Sequence, residues 1–68
     1  MTKLKEIRKE QLMTQKELAE HSGVSLRMIQ YYEQGRSDIC KAEAQTVYQL
    51  AKALECRMED LLELDEAL

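Results

Sequence analysis

Hydrophobic residues recur at steps of three and four along most of this 68-residue chain, which is the spacing that gives a helix one apolar face. Leu4 and Ile7, with Arg8 on the same face, predict a first helix over about residues 2–11. A longer repeat in the second half of the chain predicts another amphipathic helix. Its hydrophobic positions are Ala44, Val47, Leu50, Ala51 and Leu54.

Two further helices are indicated by the residues at their ends. Thr14 and Glu17 have the spacing of a capping box, so they predict the start of a helix that closes near residue 21. Ser25 is a favourable N-cap for the next helix, and Gly23 before it fits a tight turn. Gly35 predicts where that helix ends, because glycine accepts the left-handed backbone of a helix C-terminus.

The last apolar residues lie in an acidic stretch, residues 58–68. Met58, Leu61 and Leu62 predict a short fifth helix, and Leu64 and Leu68 extend an apolar edge beyond it. The chain lacks proline, phenylalanine and tryptophan, and this composition favours helices over strands. The length predicts a single domain over residues 1–68, and the helical pattern and composition predict that this domain is all-α.

The charges are unevenly distributed, which changes what the net charge of −3 implies. Residues 1–36 carry seven basic and five acidic side chains, whereas residues 37–68 carry three basic and eight acidic ones. A polyanion would therefore be met by the mildly basic first half, with the acidic second half turned away.

Cysteine and histidine form no recognisable metal pattern. Cys40 and Cys56 are distant in sequence and His21 is the only histidine, so we expect reduced thiols, no metal site and no cofactor. The longest hydrophobic run is too short for a membrane span, and the N-terminus does not resemble a signal peptide. These features predict a cytoplasmic protein that has no membrane partner.

Two stretches, LKEIRKEQLMTQKELAEHSGVSLRMIQYYEQGR and VYQLAKALECRMEDLL, resemble the lambda-repressor and Cro-like (XRE-type) family of helix-turn-helix transcriptional regulators. The resemblance implies a compact five-helix bundle in which helices 2 and 3 form the helix-turn-helix, about residues 14–35. It also implies binding to double-stranded DNA, usually as a homodimer. The matching positions are Leu4, Ile7, Arg8, Thr14, Gln15, Glu17, Leu18, Ala19, Gly23, Val24, Ser25, Ile29, Glu33, Gly35, Leu50, Ala51, Leu54 and Leu61.

The third predicted helix has a polar side that suits this function. If Ile29 points inward, a rotation of about 100° per residue places Arg27 and Tyr31 almost opposite it. Arginine can grip the two major-groove acceptors of guanine, and apolar side chains can contact thymine methyl groups. An ordinary solvated helix face is the alternative, because exposed arginine and glutamine are common. The expected base-contacting residues are Leu26, Arg27, Met28, Gln30 and Tyr31.

Other residues are expected to contact the DNA backbone or to hold the helices together. The resemblance places Gln15 on a phosphate, at a helix N-terminus that attracts anions. It also implies a structural ion pair between Arg8 and Glu33, which would join the first helix to the end of the third. For Arg36 and Lys41 the alternative is solvated charge. The expected phosphate-contacting residues are Gln15, Ser25, Gln34, Arg36 and Lys41.

Three positions depart from the family pattern. Leu12 stands where glycine or asparagine is usual, so a left-handed backbone there would be strained. Glu55 replaces a usual glycine after the fourth helix, and Arg57 replaces a usual serine or threonine cap before the fifth. We expect these changes to affect local turns and stability rather than the DNA-facing side.

These observations predict a small transcriptional regulator, with repression favoured, that reads a pseudo-palindromic operator as a homodimer without an evident small-molecule effector. A protein-binding module of the antitoxin or anti-repressor type is an alternative on the same fold. Leu64 and Leu68 are candidates for a dimer surface. A MerR-like DNA binder is a further alternative, weakened because a β-wing pattern does not follow. We expect no enzymatic activity, because no nucleophile–base pair or phosphate-binding glycine loop is evident.

Overall fold

The computed structural model describes residues 2–63 and shows four α-helices. The all-α class and the places of the first four predicted helices are confirmed. The helices are α1 (Lys3–Glu10), α2 (Gln15–Ser22), α3 (Leu26–Gln34) and α4 (Ala44–Ala53), with 3₁₀ turns at Ile39–Lys41 and Met58–Asp60.

The predicted fifth helix is corrected to a 3₁₀ turn. The N–H of Leu61 bonds to the carbonyl of Met58 at 3.0 Å, which is the three-residue step of a 3₁₀ helix. Arg57 precedes this turn, and its side chain lacks the short acceptor that serine or threonine gives an N-cap. Leu64 and Leu68 lie outside the described residues.

Polar caps fix the segment that joins α2 to α3. The Thr14 hydroxyl accepts from the N–H of Glu17 at 3.1 Å, and the Glu17 carboxylate accepts from the N–H of Thr14 at 2.9 Å. The Ser25 hydroxyl accepts from the N–H of Met28 at 3.2 Å. Gly23 ends α2 with φ of 78°, a conformation that suits glycine. The direction of α3 is therefore set by local hydrogen bonds as well as by the core.

The capping box also affects one pKa. The hydrogen bond from the backbone N–H of Thr14 lowers the pKa of the Glu17 carboxyl, because it stabilises the charged form. Because the pKa of Glu17 is lowered on folding, its ionised carboxylate contributes to the stability of the fold at pH values above the usual glutamate pKa. This contribution is lost as the pH falls through the folded value.

The core lies between the helices and orients α3. Helix α2 packs against both α3 and α4, and α1 contacts α3. Ile29 of α3 is fully buried, and Tyr32 lies beside it in the same cluster. The other fully buried side chains are Leu4, Leu18, Leu50, Leu54 and Leu61. Among the described helices, each is too short and too polar to cross a membrane.

Leu12 and Glu55 both adopt a left-handed backbone, with φ of 59° and 55°. Leu12 closes α1, where its N–H bonds to the carbonyl of Lys9 at 3.0 Å, and its side chain is 90% exposed. A left-handed conformation costs a leucine roughly 1–2 kcal/mol and a less restricted residue much less. The strain predicted at Leu12 is therefore present without any packing by its side chain to offset it.

We expect Leu12→Asn to stabilise the fold by about 0.5–1 kcal/mol, because asparagine tolerates the left-handed region. In a domain of this size, such a change raises the midpoint of thermal unfolding by roughly 2–8 °C. The matched control is Gln11→Asn, because Gln11 is exposed and has an ordinary φ of −82°. An unchanged or lower midpoint for Leu12→Asn would contradict the assignment of strain.

Candidate nucleic-acid interface

Helix α3 has one side buried in the core and one side turned away from it. Ile29 is 0% exposed, whereas Arg27 and Gln34 are exposed and Tyr31 is half-buried. We refer to Arg27, Tyr31 and Gln34 as the outward side of α3. These three residues lie roughly opposite Ile29, as the helical rotation predicts.

The other expected base-contacting residues lie beside the outward side. Leu26 is the first residue of α3 and is 39% exposed. Gln30 is half-buried on one flank. Met28 is half-buried on the other flank and packs against the core, so only part of its side chain could contact a ligand.

The expected phosphate-contacting residues fall into two environments. Gln34, Arg36 and Lys41 are exposed at and beyond the end of α3. Ser25 is exposed at the opposite end, where its hydroxyl oxygen caps the helix. Gln15 differs from these four because it is half-buried at the first position of α2.

Arg8 and Glu33 are joined by a two-point ion pair between α1 and the end of α3. The Nε of Arg8 donates to Oε2 of Glu33 at 2.7 Å, and Nη2 donates to Oε1 at 3.0 Å. The Arg8 Nη1 donates to the carbonyl of Met13 at 2.7 Å. The pKa of Arg8 is raised, mainly because its side chain donates to the Glu33 carboxylate. The pair fixes the C-terminal end of α3 relative to α1.

The same carboxylate also holds Gln15. The amide nitrogen of Gln15 donates to Oε1 of Glu33 at 3.0 Å. The Glu33 side chain therefore connects α3 to α1 and to the start of α2 in a single cluster. The sequence did not predict this bond, because no periodic pattern relates two residues on different helices.

A second unpredicted contact lies at the end of α3. The guanidinium carbon of Arg36 lies over the ring of Tyr31, 5.9 Å from its centroid. Gly35 has φ of 78°, and this left-handed conformation reverses the chain so that Arg36 lies beside the last turn of α3. The sequence carries a signal for this contact: a basic residue directly follows the glycine that ends the helix, and an aromatic residue lies in the last helical turn.

A helix-turn-helix family model matches residues 4–61 of the chain. The match spans α1 to the second 3₁₀ turn, and it contains the outward side of α3 and the Glu33 cluster. The chain belongs to the lambda-repressor and Cro-like helix-turn-helix family. Comparisons with curated proteins and with solved structures gave no match.

Membership of the helix-turn-helix family indicates a DNA-binding transcription regulator. The charge on the third helix of this domain agrees with an anionic ligand. Glu33 is the only acidic residue in α3, and it is buried and paired with Arg8. The outward side of α3 therefore carries the cation of Arg27 and no carboxylate.

The thiols of the helix-turn-helix domain have different environments. Cys40 is exposed after α3, and Cys56 is half-buried. Burial raises the pKa of the Cys56 thiol, and the charge of Asp60 raises it further. Within residues 2–63 the structure gathers no group of three or more histidine, cysteine or acidic side chains that could hold a metal ion.

Proposed function

We propose that the protein is a repressor that places α3 in the major groove of an operator. The observation that carries this proposal is the outward side of α3, which is polar, cationic and without a carboxylate, in a chain of the helix-turn-helix family. The core residue Ile29 holds α3 from the opposite side. Repression then requires only that an occupied operator block the polymerase.

Base recognition is assigned to the N-terminal half of α3, which enters the groove in this docking geometry. Arg27 is the principal reader, because a guanidinium can donate two parallel hydrogen bonds to guanine. Leu26 and the exposed part of Met28 suit thymine methyl groups. Gln30 contacts bases at the edge of the same site, beside the ring of Tyr31.

Phosphate contacts are assigned to both ends of the helix-turn-helix. The first N–H groups of α2 have no partner within the helix, and the positive end of its dipole favours an anion. Gln15 uses one amide hydrogen for Glu33, which leaves the second hydrogen for a phosphate oxygen. Ser25 and Gln34 offer neutral donors, and the charges of Arg36 and Lys41 follow the end of α3. These contacts set the register of the protein on DNA.

A homodimer is proposed because one recognition helix reads too few base pairs for a useful specificity ratio. Two copies would bind half-sites about one helical turn apart, roughly 34 Å, in a pseudo-palindromic operator. Leu64 and Leu68 remain the candidates for the dimer surface, although they lie outside the described residues.

Truncation after Glu63 is expected to give a folded monomer if Leu64 and Leu68 form the dimer surface. Glu63 must be kept because its carboxylate accepts from the N–H of Lys3, at the start of α1, at 2.6 Å. Light scattering measures the mass, and circular dichroism checks that the truncated chain is helical. A dimer that persists after truncation would place the interface elsewhere.

The experiment that tests the proposed function is selection of bound duplexes from a random pool at two salt concentrations. We expect enrichment of a pseudo-palindrome and an affinity that falls steeply as salt rises, because phosphate contacts release counterions. The spacing of the two enriched half-sites reports the dimer directly. Binding without enrichment or salt dependence would contradict the proposal and favour a protein-binding module.

A further inference from the structure

The contact between Tyr31 and Arg36 joins an expected base-contacting residue to an expected phosphate-contacting residue. The guanidinium carbon of Arg36 lies 5.9 Å from the ring centroid of Tyr31. Tyr31 is half-buried and Arg36 is exposed. A guanidinium within about 6 Å of an aromatic ring is attracted by the negative face of the ring.

The backbone supports this arrangement independently of the side chains. The carbonyl of Tyr31 accepts from the N–H of Arg36 at 2.9 Å and from the N–H of Ser37 at 3.3 Å. Gly35, with φ of 78°, makes this reversal possible. The chain is therefore folded back over the last turn of α3, and the side chain of Arg36 starts beside Tyr31.

A cation–π contact leaves the hydrogen-bonding groups of arginine available. A guanidinium has five N–H donors, and its attraction to the face of a ring does not use them up in hydrogen bonds. A phosphate can therefore bind Arg36 while Tyr31 remains in contact with it. An arginine that is already ordered loses less rotamer freedom on binding.

We propose that Tyr31 is a positioning residue for Arg36, and that the ring of Tyr31 acts by holding the guanidinium against the end of α3, where it grips a phosphate. This inference rests on the proposed DNA-binding function. It differs from a direct role in which the hydroxyl of Tyr31 itself bonds to a base or a phosphate. The ring, and not the hydroxyl, is the group that matters.

The test is a double-mutant cycle measured on a mixed-sequence duplex, at several salt concentrations. A mixed-sequence duplex is the right probe because a phosphate contact does not depend on base sequence. Arg36→Ala should weaken binding and reduce the slope of log affinity against log salt by about one unit. Tyr31→Ala should weaken binding by about two- to fivefold, the range typical of an exposed cation–π contact.

Two variants separate positioning from direct contact. Tyr31→Phe keeps the ring and should recover most of the affinity that Tyr31→Ala loses. Adding Tyr31→Ala to Arg36→Ala should cause no further loss, because Tyr31 acts only through Arg36. Tyr48→Ala is the matched control, because Tyr48 is a 53% exposed tyrosine on α4, outside the proposed interface. Circular dichroism checks that each variant is folded.

The free protein provides a second readout. Ring currents from Tyr31 should shift the side-chain NMR signals of Arg36 in the wild type and in Tyr31→Phe, and the shift should disappear in Tyr31→Ala. Additive losses in the double mutant, or a Tyr31→Phe as weak as Tyr31→Ala, would overturn the positioning role while leaving DNA binding in place. A wild-type protein without salt-sensitive binding would instead overturn the proposed function, and the positioning role with it.

Discussion

Replacing Glu33 with glutamine is expected to destabilise the fold by about 3–5 kcal/mol, the loss typical when one partner of a buried ion pair is removed. The substitution would leave the guanidinium of Arg8 buried without its anion. It would also disturb the hydrogen bond from Gln15. Small domains are stable by only about 5–15 kcal/mol in total, so the variant should be close to unfolded at physiological temperature.

Urea unfolding followed by circular dichroism measures this effect. Glu20→Gln is the matched control, because Glu20 is exposed on α2 and should change stability by less than about 0.5 kcal/mol. The double substitution Arg8→Met with Glu33→Met should recover most of the stability, because a well-packed apolar pair needs no counter-charge. A Glu33→Gln variant as stable as Glu20→Gln would contradict the role of the cluster.

The double methionine variant also separates stability from positioning. It removes the acceptor that holds the amide of Gln15, so we expect weaker binding to DNA from a folded protein.

The raised pKa of Arg8 has a simple consequence for how the stability of the fold depends on pH. A cation whose pKa is raised on folding contributes stability at every pH below its unfolded pKa, and loses it only as the pH rises through the folded value.

Arg27→Ala is expected to abolish preference at one base pair of each half-site. The lost discrimination should be about 1–3 kcal/mol, the usual value of a bidentate contact to guanine. Binding to mixed-sequence DNA should fall much less, because the phosphate contacts remain. The measurement is the affinity for the selected operator and for variants substituted at each position.

Arg57→Ala is the matched control for the loss of an arginine. Arg57 is exposed before the second 3₁₀ turn, and its nearest carboxylate oxygens, on Asp60 and Glu59, are 3.7 and 3.9 Å away. Removing it should leave operator preference unchanged. If Arg27→Ala weakened binding equally on all sequences, Arg27 would be a phosphate contact and not a base reader.

Features that depend on neighbouring residues could be predicted from the sequence. Thr14, Glu17 and Ser25 cap the helices where their spacing indicated. Gly35 adopts the left-handed backbone expected of it, and Gly23, predicted to lie in a tight turn, adopts the same conformation. Each of these interactions lies within one helical turn. The sequence therefore contains all of the information that they require.

The fifth helix shows why hydrophobic spacing alone was insufficient. Leu61 is fully buried, as its place in the pattern suggested. Steps of three residues, however, are shared by α-helices and 3₁₀ turns, and the residue before the turn does not favour a helical start. The burial of the side chain was predictable, and the backbone conformation was not.

Contacts between helices were predictable only where the family resemblance supplied them. Arg8 and Glu33 were paired on that basis, whereas the bond from Gln15 to Glu33 was not anticipated. The contact of Tyr31 with Arg36 depends on the backbone reversal at Gly35. Such contacts depend on the relative placement of elements, which a one-dimensional pattern does not contain.

The most direct test of the central claim is an NMR titration of the ¹⁵N-labelled protein with the selected operator. The side of the protein that meets DNA is read from the amide signals that shift. The claim predicts the largest shifts at Arg27, Tyr31 and Arg36 and at the start of α2, with little change around Tyr48 on α4. Shifts centred on α4, with the signals of α3 unmoved, would contradict it.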